Sequence, residues 1–151
     1  MKSFSTIDDI LDFAINAEQE TVDFYTWLAG SSKNPEMKKV FTGFAQEEMK
    51  HKVRLTAVKA NHSYNMPVEK VRDLKIADYL TEVNPSPDMS YPDALVLAMK
   101  KEKNAFRLYL MLSEETNDPA MKNVFLSLAQ EESKHKLRFE LEYDEYVLRE
   151  N

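Results

Sequence analysis

Six side chains in this 151-residue sequence are of types that bind metal ions and stand at spacings that would let them share a site: Glu18, Glu48, His51, Glu102, Glu132 and His135. Glu48-Met49-Lys50-His51 and Glu132-Ser133-Lys134-His135 are both Glu-x-x-His. Positions i and i+3 lie on one face of a helix, so a carboxylate and an imidazole from one segment can reach the same ion. One Glu-x-x-His is common. Two copies, each with a further glutamate 30 residues upstream (48 − 18 = 132 − 102 = 30), form a specific pattern. Carboxylate oxygens with two imidazoles suit iron or manganese, and zinc follows by affinity order. The expected cofactor is two iron ions, with manganese or zinc possible.

Four long helices must position these groups. The first is expected from Thr6, its N-cap, to Ala29, with Gly30 as its stop. The second opens at Asn34-Pro35, a capping residue followed by proline at the first helical position, and runs to about Ala60. The third opens near Ser90 and the fourth at Asp118-Pro119, running to about Leu148. Each has an apolar stripe at three-and-four spacing. The stripes read Ile7, Leu11, Ala14, Glu18, Val22, Tyr25, Leu28; then Met37, Phe41, Phe44, Glu48, His51, Leu55, Val58; then Leu95, Ala98, Glu102, Phe106, Tyr109, Leu112; and Met121, Val124, Leu128, Glu132, His135, Phe139.

A glutamate interrupts every stripe near its middle. The idealised cost of moving one carboxylate from water to a dry interior is about 20 kcal/mol, and several kcal/mol survive relaxation. Four such groups on stripes that face one another need a countercharge, and no Lys or Arg stands near the middle of any stripe. Two divalent cations would cancel four carboxylates while the histidines stay neutral. Tyr25 and Tyr109 stand two turns beyond Glu18 and Glu102 on the same face, where each can hydrogen-bond a ligand or serve as an ordinary core tyrosine. Glu20, Glu47, Glu131 and the lysines beside each histidine fall off the stripes and read as solvated surface.

The two halves repeat each other. Shifted by 84 residues, 19 of the 46 positions from residue 9 to 54 are identical, with Ala45-Gln46-Glu47-Glu48 lying on Ala129-Gln130-Glu131-Glu132. The expected organisation is one domain over 1–151: a first repeat over about 6–60, a connection over 61–90, and a second repeat over about 91–148. Links of about five residues within each repeat make antiparallel hairpins. The connection carries Pro67, Pro85 and Pro87, with one short helix expected within Val68 to Val83. Its length suits a crossover between the second and third helices of an all-α four-helix bundle.

Composition sets limits on function. A net charge of −6 and no basic stripe argue against nucleic acid and anionic membrane surfaces as partners. No apolar run approaches the roughly 18 residues of a membrane span, and the first residues lack a signal-type segment, so a cytoplasmic location is expected. With no cysteine there is no disulfide, thiolate site or thiol catalysis. Trp27 and Met111, at matching repeat positions, are candidates for a flank that meets a second subunit.

These motifs together resemble the ferritin-like di-iron carboxylate proteins of the rubrerythrin type. Glu18-Gln19-Glu20-Thr21-Val22-Asp23-Phe24-Tyr25 is similar to the family's first-helix motif, and Glu102 through Tyr109 repeats it. The resemblance covers nearly the whole chain except the central connection. It implies bridging roles for Glu48 and Glu132, with Glu18 and Glu102 as terminal carboxylates and His51 and His135 as terminal imidazoles. It implies an oxidoreductase that reduces hydrogen peroxide or dioxygen, or alternatively a ferroxidase-like iron-handling or storage protein, or a metal-stapled structural dimer. Rubrerythrins proper carry a cysteine-ligated rubredoxin domain, and this chain has no cysteine. The implied partner is therefore an external electron donor such as a rubredoxin-like protein, with a homodimer expected. The extra glutamate that rubrerythrins carry on the third helix has no counterpart, since Ala105 stands three residues past Glu102.

Overall fold

The computed structural model describes residues 7–61 and 89–150. These form four helices: α1, Ile7–Ser31; α2, Pro35–Asn61; α3, Tyr91–Glu115; and α4, Pro119–Glu150. The starts follow the capping residues. The Asn34 side-chain oxygen accepts from the backbone N–H groups of Glu36 at 2.9 Å and Met37 at 3.4 Å. Asp118 repeats this geometry with Ala120 and Met121 at the same two distances. Ser90 Oγ accepts from the N–H of Asp93 at 3.3 Å. Each cap satisfies donors that the first helical turn leaves without an intrahelical acceptor.

One boundary differs from expectation. Gly30 does not stop α1, which continues to Ser31. Gly30 stays out of the left-handed conformation that would end the helix there. The Ser32 N–H closes on the Leu28 carbonyl at 2.9 Å, and Ser31 Oγ donates to the Trp27 carbonyl. The expected Thr6 cap, the connection and its short helix, and His62 lie outside the described residues.

The described residues fall into two compact units that follow the repeats: 7–61 with 116–121, and 89–115 with 122–150. In the first, α1 packs antiparallel along α2. Asp12 near the start of α1 pairs with Lys59 near the end of α2, Gln19 accepts from Lys52 at 2.7 Å, and the Tyr25 ring lies against Phe41. In the second, Tyr91 at the start of α3 reaches Glu142 and Tyr146 towards the end of α4, an antiparallel hairpin of the same kind.

The buried faces are those the stripes outline. Leu11, Ala14, Tyr25 and Leu28 are buried on α1; Met37, Phe41 and Leu55 on α2; Leu95, Ala98, Tyr109 and Leu112 on α3; Met121, Leu128 and Phe139 on α4. Burying each large apolar side chain is worth about 1.5–3 kcal/mol. Phe44, Phe106 and Val124 are only half-buried. On α4 it is Phe125 that enters the core in place of Val124. Phe125 is the repeat partner of Phe41, so the 84-residue shift carried the information that the helical stripe alone did not.

Candidate metal centre

Each unit buries a triad of two glutamates and one histidine at mid-helix. In the first, Glu18 comes from α1 and Glu48 and His51 from α2, with 2%, 0% and 1% of their surface exposed. Imidazole Nδ1 of His51 stands 3.4 Å from Glu48 Oε2 and 3.8 Å from Glu18 Oε2. One ligand atom from each of the three lies within 4.8 Å of the others. In the second unit, Glu102 of α3 joins Glu132 and His135 of α4, all buried, with His135 Nδ1 3.5 Å from Glu102 Oε1. Their ligand atoms also fall within 4.8 Å of one another. All six ligand positions expected from sequence are thus buried, three in each unit.

The electrostatics of a triad are one-sided. Two ionised glutamates carry −2, and a protonated histidine would offset only half of it. A divalent cation bound by two carboxylates and a neutral imidazole balances the charge completely, which is what a low-dielectric interior favours. Hard carboxylate oxygens with an imidazole nitrogen form a donor set suited to iron, manganese or zinc. The donor set and its burial therefore fit a metal site in each unit.

Tyr25 and Tyr109 are also buried, at 0% and 1% exposed. The Tyr25 ring packs against Phe41 and Phe44. Of the off-stripe groups, Glu20, Glu47, Lys50 and Lys134 are exposed as expected, whereas Glu131, Lys52 and Lys136 are half-buried and not fully solvated. Lys52 is engaged with Gln19, and Lys136 with Glu140 one turn along.

With this geometry in place, the comparisons are decisive for family. The sequence pattern of the Rubrerythrin family matches residues 9–143. The chain belongs to the rubrerythrin family. Its fold is accordingly the ferritin-like four-helix bundle, and the buried glutamate and histidine positions agree with the metal-binding pattern of a di-iron carboxylate rubrerythrin. A solved structure of a hypothetical protein from Pyrococcus furiosus shares this fold, with a TM-score of 0.71 and 23% identity over 92% of this chain and 89% of that one. A comparison with curated proteins returns no match. Among the described residues of this rubrerythrin, no helix is long and apolar enough to cross a membrane.

Among the described residues, the stripes missed one buried carboxylate. Glu142 is only 3% exposed and lies two turns beyond His135 on the same face of α4. Its Oε1 accepts from the Tyr91 hydroxyl at 3.2 Å and stands 3.4 Å from Arg149 Nη2, while Arg138 Nη1 is 3.9 Å from Oε2. Extending the α4 stripe past Phe139 by one step would have reached it. Glu142 therefore has guanidinium groups at hand for countercharge.

Glu142 also raises the pKa of Tyr91 above its ordinary 10.0. Burial of the hydroxyl is the first cause, and the charge and hydrogen bond of Glu142 follow. The folded state therefore favours the neutral phenol more than the unfolded chain does. Its contribution is complete below pH 10.0 and is lost as pH rises from there towards the raised folded value. Between about pH 10 and 12, the melting temperature of the protein should fall more steeply than that of a Tyr91→Phe variant. Parallel slopes in an alkaline thermal-melt series would show that ionisation of Tyr91 does not oppose folding.

Proposed function

We propose that this protein is a non-haem di-iron oxidoreductase that reduces hydrogen peroxide or dioxygen, with the two triads supplying its metal ligands. The observation that carries it is the pair of buried Glu–Glu–His triads in a chain of the rubrerythrin family. In this assignment Glu18, Glu48, Glu102 and Glu132 would supply carboxylates, and His51 and His135 imidazoles, to the metal. The bound iron pair would supply the electrons and the Lewis acidity for reduction of the oxidant.

The protein's own contribution is positioning and exclusion of water. The caps at Asn34 and Asp118 hold the starts of α2 and α4, which fixes the height of each Glu-x-x-His along its helix. Buried Phe41 and Leu55 flank Glu48 and His51 along α2, and Leu128 and Phe139 flank Glu132 and His135 along α4. These apolar groups keep the ligands dry, where carboxylate–cation attraction is stronger than in water. With no cysteine in the chain, electrons for repeated turnover come from a separate donor, a rubredoxin-like protein or a small reductant.

The test is stopped-flow mixing of the ferrous protein with peroxide and, separately, with dioxygen, in the presence of a reductant. Repeated rapid cycles at two irons per chain are expected. Uptake of many irons per chain without turnover would replace the enzyme with iron handling and storage. A ferrous protein inert to both oxidants would leave the metals a structural role.

A further inference from the structure

We propose that the two triads are unequal cation sites. The first, Glu18, Glu48 and His51, fills first and holds its ion more tightly; the second, Glu102, Glu132 and His135, is the weaker, exchangeable position. This rests on the triads being the metal ligands. The ligand types are the same in both units and all six are buried, so the difference comes from the charges around them.

The repeat isolates that difference on α1 and α3. Within two residues of Glu102 stand Lys100, Lys101 and Lys103, where α1 has Asn16, Ala17 and Gln19 around Glu18. Asn104 takes the place of Glu20, and Arg107 the place of Asp23. Leaving the ligands aside, residues 15–23 carry −2 and their counterparts 99–107 carry +4. The helices packed against them hardly differ: residues 46–56 carry +2 and residues 130–140 carry +1. The surroundings of the first triad are therefore neutral, and those of the second carry +5. Other acidic residues of the second unit, Asp93, Glu114, Asp144 and Glu145, stand at least nine positions from the nearest ligand on their helices. That is about 13 Å of helix, beyond the screening length of about 10 Å at 0.1 M salt.

The side chains respond to the same field. Lys52 of α2 donates to Gln19 Oε1 at 2.7 Å, and Gln19 Nε2 donates to Asp23 Oδ1 at 2.9 Å. Lys136, the repeat counterpart of Lys52, pairs instead with Glu140 on its own helix. The α3 residue at the Gln19 position is Lys103, which has no acceptor to offer. Further along α1, Asp12 by hydrogen bond and charge, with Asp8 and Asp9 by charge, raises the pKa of Lys59 above its ordinary 10.5 against the opposing effect of desolvation. Surroundings that favour the positive form of a lysine also favour a bound cation.

Anaerobic titration of the metal-free, full-length protein with manganese(II), read by the EPR signal of the free ion, tests this. A unit charge on a helix surface changes the binding of a nearby divalent ion by roughly two- to fourfold. Two steps separated by about tenfold or more in dissociation constant are expected at low salt. The gap should narrow as the screening length falls from about 30 Å at 0.01 M to about 3 Å at 1 M. Lys100→Asn with Lys103→Gln gives α3 the residues of α1, and should tighten the weaker step about fivefold while leaving the tighter one in place. Asn16→Lys with Glu20→Asn should weaken the tighter step by a similar factor. All four side chains are exposed, so helicity should not change. Two ions filling together, a gap indifferent to salt, or α3 substitutions that move the tighter step would each overturn the inequality and leave the triads as metal sites. Failure to bind manganese at all would overturn both.

Discussion

Loading the metal-free protein with two equivalents of a divalent ion should raise its melting temperature by about 10 °C or more. A ligand present at about a thousand times its dissociation constant stabilises the folded state by about 4 kcal/mol per site. For a domain of this size each kcal/mol moves the midpoint by roughly 2–4 °C. The gain is large because the metal-free state is penalised from the start. Glu18, Glu48, Glu102 and Glu132 sit at 0–2% exposure, and each triad places two carboxylates beside a single imidazole. Thermal melts of chelator-stripped protein, with and without manganese or anaerobic ferrous iron, check it. Coincident melts would mean that the triads are satisfied without a cation, and the metal assignment would fall.

Replacing either central glutamate should abolish stoichiometric binding of two ions. Glu48→Ala and Glu132→Ala each remove the most buried carboxylate contributed by α2 or α4. Anaerobic titration with metal analysis should give at most one tightly held ion per chain in either variant. Glu47→Ala and Glu131→Ala provide matched controls of the same charge one residue away. Glu47 is exposed and Glu131 half-buried, so both should retain two ions. A second signature follows from the cost of an uncompensated buried charge. Glu48→Gln should stabilise the metal-free protein while removing its response to metal, because a neutral amide avoids the desolvation penalty and cannot supply the countercharge. Two ions retained in Glu48→Ala, or a metal-free Glu48→Gln protein less stable than the original, would speak against this electrostatic account.

Much of the site was legible before any coordinates, because its determinants are local and periodic. Glu48 and His51 share a face of α2 simply by standing three residues apart, and the cap at Asn34 sets where that helix begins. The 84-residue repeat then supplied the second triad. The errors also have local causes. Gly30 looked like a stop, yet a glycine is free to remain helical when the following serines close the turn, as Ser31 and Ser32 do. The α4 stripe admitted either Val124 or Phe125, since neighbouring positions differ by only 100° around the axis and packing decides between them.

Glu142 shows where periodicity stops being informative. Its position on the α4 face is a sequence property. Its tolerance as a buried charge depends on Tyr91, 51 residues away on another helix, and on Arg149 and Arg138. The exposed leucines of α4 are the converse case: leucine at helical spacing reads as core until the packing shows which face is left to solvent.

Sequence by itself determined the four described helices, the family pattern and the six glutamate and histidine positions that are buried at mid-helix, because caps, stripe spacing and duplication act within one helix or one hairpin. Only the tertiary structure decided which acidic side chains are buried beside an imidazole and which is buried beside arginine. Burial and countercharge are properties of neighbours brought together across helices, and neither is encoded at any single position.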